Sequence, residues 1–330
     1  MRLPADAPRP EASPAGPPSG AAAREGLACP LGQARRRGRL LLLASAVLFG
    51  LSAMLTRLAT AAGMNGGQAT LVRFALGLAL VAAIFRLRPG TFRPARYELL
   101  LVRGFLGGLA ALLYFLTLER LPAGEATLLN NLYPFFAIAL SILLLGERPT
   151  LHLPFALLMS GAGVFLVLGA GHPSLHLGTG VWLGILSALC GGFAVTSIRV
   201  LRATVNAPTI FFSFALGGAL VSLPFAGAAW PTAPAAWLLA GAVGVFAFLA
   251  QLTMTEAYGA LSIPEAALWQ MLTPLMAYLF GLFLGEPFGP STVVGVLLGV
   301  GGIAYGSVMG YAPRPGAPPR AVVPVVGEEP

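Results

Sequence analysis

Glu125-Ala126-Thr127-Leu128-Leu129-Asn130-Asn131-Leu132-Tyr133-Pro134, running on to Gly146-Glu147-Arg148-Pro149, has a second copy further along the chain. It returns as Glu265-Ala266-Ala267-Leu268-Trp269-Gln270-Met271-Leu272-Thr273-Pro274 and closes on Gly285-Glu286-Pro287. Each copy is an apolar run with a proline midway and Gly-Glu at its end. Each has the ~20-residue length that spans a hydrocarbon core.

The echo extends outward from this stretch. Ser45-Ala46, Gly50 and Arg57 recur as Ser187-Ala188, Gly192 and Arg199, 142 positions later. Phe74-Ala75-Leu76-Gly77 recurs as Phe214-Ala215-Leu216-Gly217, and Gly104 as Gly244, at 140. Gly163-Val164 recurs as Gly302-Ile303, at 139. An offset that only falls along the chain is what small loop deletions leave behind. Unrelated leucine-rich helices give no such order. Duplication on this scale is a recurrent transporter signature.

Composition sets the class. Of 330 residues, 57% are hydrophobic and 10% charged, where soluble domains carry roughly 25% charge. Apolar runs follow one another from Leu40 to Met309. The spans are read at 40–60, 67–86, 98–118, 124–145, 151–169, 179–198, 207–228, 236–257, 263–284 and 291–309. The expected fold is therefore an all-α polytopic membrane protein of ten transmembrane helices. Residues 1–34, rich in Pro, Ala and Gly, read as a disordered tail, as do 312–330. The first five-helix repeat is placed at 35–170 and the second at 171–311. A cleaved leader ending near Ala59-Thr60-Ala61 is the alternative for the first run. Its length and its partner in the second half favour a retained helix.

All 20 basic residues are arginine. A phosphate-cradling loop of the Walker type needs a lysine, so ATP hydrolysis is not expected. Neither is an enzyme: no Gly-x-Ser-x-Gly elbow or His-Glu-x-x-His pair is present. His172 and His176 flank a proline in a short loop and do not suggest a metal site. Cys29 and Cys190 imply no disulfide framework. No cofactor is implied.

The net charge of +8 could suggest nucleic acid, but the arginines cluster at span ends. With a cytoplasmic amino terminus, the inner flanks hold Arg35, Arg36, Arg37, Arg39, Arg86, Arg88, Arg93, Arg96, Arg148, Arg199, Arg202, Arg314 and Arg320. The outer flanks hold Arg57 and Arg120. That asymmetry orients both termini inward in a cell inner (plasma) membrane. Five spans per repeat then place the two repeats in opposite orientations, as alternating access around a midplane site requires.

Polar residues inside spans mark candidate function. Arg73 either binds an anionic group or snorkels to the headgroups. Arg103, near the inner end of its span, reads as a snorkelling arginine. Glu256 is a proton-coupling candidate or a plain interfacial carboxylate. Glu125 and Glu265 sit at matching helix starts, where a negative group complements the helix dipole. Asn130 and Gln270 lie one turn before Pro134 and Pro274, where each proline frees a carbonyl and kinks its helix. An amide there satisfies the kink or faces a substrate. Asn131, Tyr133 and Trp269, with Tyr114 and Gln251 from the third and eighth spans, extend this candidate cavity lining. Gly104, Gly107, Gly108, Gly161, Gly163, Gly299 and Gly302 suit close helix packing.

With these residues in view, the chain resembles the drug/metabolite transporter superfamily, in its ten-helix branch built from two inverted EamA repeats. The resemblance is carried by Leu121-Pro122-Ala123-Gly124-Glu125-Ala126, Tyr133-Pro134 and Gly146-Glu147-Arg148, with Pro264-Glu265-Ala266, Thr273-Pro274 and Gly285-Glu286-Pro287. Val102-Arg103-Gly104 with Tyr114-Phe115 is similar to the solute-carrier-35G type. The resemblance implies a secondary transporter, commonly an exporter of amino acids, metabolites or drug-like solutes. It implies structural roles for Pro134, Glu147, Pro274 and Glu286. The expected partners are a small-molecule substrate and the lipid bilayer, not nucleic acid, with the chain as a monomer or homodimer. The alternatives are a carrier of nucleotide sugars or lipid head groups, and a non-transporting membrane assembly partner.

Overall fold

A computed structural model describes residues 20–118, 120–121, 123–147, 149–168, 178–227, 229–285 and 289–309. Among these, the structure consists of helices and their connections, with no strand. The helices are α1 (Gly20–Ala61), α2 (Gly66–Leu87), α3 (Tyr97–Leu118), α4 (Ala123–Asn130), α5 (Tyr133–Leu145) and α6 (His152–Leu168). They continue as α7 (Thr179–Leu201), α8 (Ala207–Ser222), α9 (Pro234–Ala260), α10 (Ile263–Gln270), α11 (Leu272–Gly281) and α12 (Pro290–Met309). Nine helical segments among the described residues have the length and hydropathy of membrane spans, counting α4–α5 and α10–α11 as one each. The tenth expected span, α6, is apolar but shorter, at 17 residues.

Two boundaries differ from the sequence reading. Helix α1 starts at Gly20, inside the stretch read as a tail to residue 34. Ala21-Ala22-Ala23 with Arg24-Glu25 are strong helix formers that can extend it backward. The fourth and ninth spans are each two helices rather than one. The interruptions fall at Asn131-Leu132 and Met271, three residues or fewer before Pro134 and Pro274. Each proline lacks a donor and crowds the carbonyl four residues back, which is that of Asn130 or Gln270. The chain answers by tightening: Leu132 N–H donates to Leu129 O at 3.1 Å, and Met271 N–H to Leu268 O at 3.1 Å. The C-terminal tail expected at 312–330 lies outside the described residues.

The Gly-Glu ends have a backbone explanation. Gly146 and Gly285 both adopt positive φ, 62° and 83°, the left-handed geometry that closes a helix and that glycine alone adopts without a Cβ penalty. Gly146 and Glu147 N–H groups both turn back to Ser141 O. Gly146→Ala is expected to cost about 1 kcal/mol, read as a lowered melting temperature of the purified protein. An unchanged melt would show that the cap is not strained. Glu286 lies outside the described residues.

Packing partners repeat with the sequence. Helix α1 packs on α9 and α11, and its counterpart α7 packs on α3 and α5. Helix α2 packs on α9, and its counterpart α8 packs on α3. The pairs α6–α12 and α2–α8 map onto themselves when the halves are exchanged. Small residues set these contacts. A Cβ on Gly163 would come within 2.5 Å of Gly295 O and 2.7 Å of Gly299 Cα, and one on Gly108 within 2.8 Å of Gly218 Cα. Outward, Leu143, Leu144, Leu151, Phe283 and Leu297 are exposed. A wide apolar exterior of this kind belongs against lipid.

The helix ends gather at two opposite faces of the bundle. One carries Arg35, Arg39, Arg93 and Arg202 and is called the basic end below. At the other, Asn65 caps α2 in a reciprocal capping box with Gln68, and Gln68 Nε2 donates to Ala229 O at 2.6 Å.

Candidate substrate site

The broken helices bring polar groups into an apolar interior. Arg103 on α3 is 3% exposed, Gln251 and Tyr258 on α9 are 4% and 0%, and Gln270 at the end of α10 is 2%. Gln251 and Tyr258 are seven residues apart and therefore share one face of α9. Tyr258 lies within electrostatic reach of Arg103, Tyr133 and Gln270, and Arg103 within reach of Tyr258 and Arg73. Tyr133 and Trp269 pack against the apolar cluster that holds Tyr258, Met254 and Ala137.

These groups are unusual in what they lack. Arg103 Nε, Gln251 Nε2 and Trp269 Nε1 are buried with no hydrogen-bond partner, while the Gln270 side chain approaches the Tyr258 hydroxyl without a well-formed bond. Each such group costs ~1–3 kcal/mol when left unmade, so their presence in this interior makes it the candidate site. The Arg103 guanidinium lies 4.1 Å from the centroid of the Phe214 ring. It folds along α3 over Gly107, where an added Cβ would meet Nη1 at 2.5 Å. Arg73 is half-buried, 5.5 Å from the centroid of Phe74. Gln270 uses its acceptor locally, taking a bond from Thr273 Oγ1 at 3.3 Å, and its side chain approaches the Tyr258 hydroxyl.

The other amides from the sequence reading are placed differently. Asn130 Oδ1 accepts from Ser187 Oγ at 3.1 Å and ties α4 to α7. Asn131 Nδ2 donates to Thr127 O at 2.8 Å, inside its own helix. Tyr114 OH pairs with Thr127 Oγ1 at 3.0 Å. These three are engaged in the fold, whereas Gln251 and Trp269 keep buried donors without partners. Pro134 and Pro274 are both buried at the helix breaks. His172 and His176 lie outside the described residues.

The basic end is held by ion pairs. Glu265, 2% exposed, receives Arg35 Nε at 2.9 Å and Arg39 Nη2 at 2.7 Å. Arg39 Nη2 also donates to Ser307 O at 3.0 Å. Three helices, α1, α10 and α12, are joined through this carboxylate. Glu265 therefore does more than complement the α10 dipole. Beside it, Glu256 pairs with Arg202 at 2.6 Å, and Arg199 Nη1 donates to Tyr258 O and Gly259 O at 3.1 and 3.0 Å. Burial lowers the Arg202 guanidinium from its ordinary value, and the Glu256 carboxylate opposes that shift. Glu256 is about one-third exposed, so solvent screens the pair. Glu256→Gln is expected to cost about 1 kcal/mol, seen as a small drop in melting temperature. A loss of folded protein would contradict so screened a pair.

Two features are hidden from a sequence reading. Arg103 does not snorkel: it is enclosed against Phe214. Its position about two turns inside α3 points to the headgroups, and the overlooked signal is Gly107, which lets the side chain fold back. The partners of Glu256 and Glu265 come from helices distant in sequence, which spacing alone does not reveal. Away from the cluster, a cavity of about 140 Å³ opens at the other end between Asn65, Thr70, Phe115 and Phe225.

Known proteins share this architecture. A crystal structure superposes with a TM-score of 0.67 at 22% identity, covering 84% of this chain and 99% of the other. The pseudopaline exporter CntI of Pseudomonas aeruginosa is 29% identical over 201 residues, 60% of this chain and 70% of that protein. The uncharacterised inner membrane transporter YicL of Salmonella typhimurium is 31% identical over 200 residues, 58% of this chain and 66% of that protein. The EamA-like transporter family model matches residues 36–169 and again 178–307. Matched twice across most of its length, the chain belongs to the EamA-like transporter family, and it is a multi-pass membrane transporter.

Proposed function

We propose that this transporter is a secondary carrier that exports a small polar solute by alternating access between two inverted five-helix repeats. One observation carries the reading: buried or partly buried polar groups from both halves, Arg103 and Tyr133 from the first and Tyr258 and Gln270 from the second, lie within reach of one another beside helices broken at Pro134 and Pro274. Broken helices at membrane depth are tolerated where they line a cavity. The similarity to the pseudopaline exporter supports export, and that to YicL supports an inner-membrane setting. The basic end then faces the cytoplasm, with both termini. The ion pairs of Glu265 and Glu256 close that end in this reading. Glu256, paired with Arg202 at 2.6 Å, is the proton-coupling candidate in this reading. The carrier needs no cofactor and works as a monomer or homodimer.

The test is untargeted small-molecule profiling of the growth medium of cells with and without the protein. A solute that accumulates outside only when the protein is present is the expected result. Depletion of a solute from the medium would overturn export in favour of uptake. No difference in any solute, together with no flux in reconstituted vesicles, would overturn transport of a free solute and favour the assembly partner.

A further inference from the structure

We infer that the site takes a small organic anion, with Arg103 holding its carboxylate. This rests on the cluster being the substrate site.

The charge balance points there. Arg73 lies against Phe74 and Arg103 against Phe214, and these two rings meet edge to face at 5.1 Å, so the two guanidinium groups flank one aromatic pair. Neither has a carboxylate partner among the described residues, where Glu256 and Glu265 are committed to Arg202, Arg35 and Arg39. Like charges held near one another without a counter-ion repel, and Arg103, which is buried, also loses hydration. A ligand that brings negative charge relieves both costs.

The hydrogen-bond inventory agrees. Arg103 Nε, Gln251 Nε2 and Trp269 Nε1 offer only hydrogens and have no partner, and the Tyr258 hydroxyl, approached by Gln270, can offer another. A cationic or donor-rich solute would leave them unpaired, whereas an oxyanion accepts from several at once. The Arg103 guanidinium lies against the Phe214 ring with its Nε unpaired, and the fork of a guanidinium suits a planar, two-oxygen acceptor. A carboxylate has that shape. Tyr133, Trp269 and Phe214 supply aromatic walls for an organic body.

The experiment measures binding to purified protein by thermal shift and by fluorescence titration. The probes are citrate, succinate and phenylacetate, set against succinamide, phenylacetamide, glycerol 3-phosphate and putrescine. A carboxylate is expected to bind and its amide counterpart not to. Arg103→Gln should weaken that binding on the order of 10- to 100-fold, as loss of a charge-assisted pair does, and Arg103→Lys should weaken it less. Should Arg103→Gln not fold, Gln270→Glu and Tyr258→Phe decide. Gln270→Glu places a negative charge beside Tyr258, so it should repel a carboxylate and abolish its binding. Tyr258→Phe should weaken binding about tenfold.

Binding of glycerol 3-phosphate alone overturns the carboxylate assignment in favour of a phosphate head group. Binding of amides or putrescine alone, or of no probe, overturns the anion inference. An exported neutral or cationic solute in the growth medium would do the same while leaving the transport reading intact.

Discussion

Alanine at Gly163 is expected to lower the melting temperature sharply or prevent recovery of folded protein, while alanine at Gly161 leaves both unchanged. The two glycines sit on one helix, two residues apart, and face different surroundings. At Gly163 an added methyl would come within 2.5 Å of Gly295 O and 2.7 Å of Gly299 Cα. These are backbone atoms of α12 and cannot rotate away. At Gly161 the nearest atom is the rim of Phe135, at an ordinary 3.4 Å. Relief at Gly163 therefore requires α6 and α12 to separate, which also strains the bond from Ser160 Oγ to Gly299 O, 3.2 Å.

Overpacking of this kind costs ~1–3 kcal/mol where side chains can shift, and roughly the top of that range or more where only backbone is available. Total stabilities are about 5–15 kcal/mol, so the loss is a large share. Helices in lipid associate through such close approach rather than through the hydrophobic effect, so nothing else at this interface compensates. Melting of the two variants in detergent, side by side with the parent, checks it. Equal melts would show that α6 and α12 are not held by backbone contact.

The glycine pattern is legible in the amino-acid sequence. Gly163 and Gly302 recur at matching positions, and their spacing with Gly299 suits helix contact. The repeat itself is equally legible, since Gly146 and Gly285 must both take positive φ and so return in both halves. The helix breaks at Asn131-Leu132 and Met271 are half legible: the prolines announce a kink, but the split into separate helices depends on the turn hydrogen bonds. The site is legible as residue types and not as partnerships. Asn130 and Gln270 look equivalent in sequence and each has its oxygen engaged, by Ser187 and by Thr273, yet Ser187 ties Asn130 to α7 whereas Gln270 is buried beside Tyr258. Arg103 reads as a snorkelling residue because depth along a helix is visible in sequence and the path of a side chain is not.

The partnership that sequence hides most completely gives the second large effect. Glu265→Gln is expected to open the basic end. It leaves Arg35 and Arg39 facing a neutral amide where they now share a carboxylate at 2.9 and 2.7 Å. Removing one member of a buried ionic group costs about 3–5 kcal/mol. Arg35 and Arg39 are about one-third and one-quarter exposed, which screens the loss to roughly half that. A bias of ~2 kcal/mol shifts a two-state equilibrium by about thirtyfold. The readout is thiol labelling at Leu261→Cys, a buried position against Gly38 of α1, in a background with Cys29 and Cys190 replaced by alanine. Labelling should accelerate at least tenfold in Glu265→Gln, and much less in Arg35→Gln, where Arg39 still holds the carboxylate and Ser307 O. The triple replacement of Arg35, Arg39 and Glu265 by glutamine should label more slowly than Glu265→Gln alone. It removes the stranded charges together with their partner, and deleting a whole ionic group costs less than breaking it. If the triple variant instead labels fastest, the pairs act as simple additive glue and not as a closed network whose integrity depends on one carboxylate.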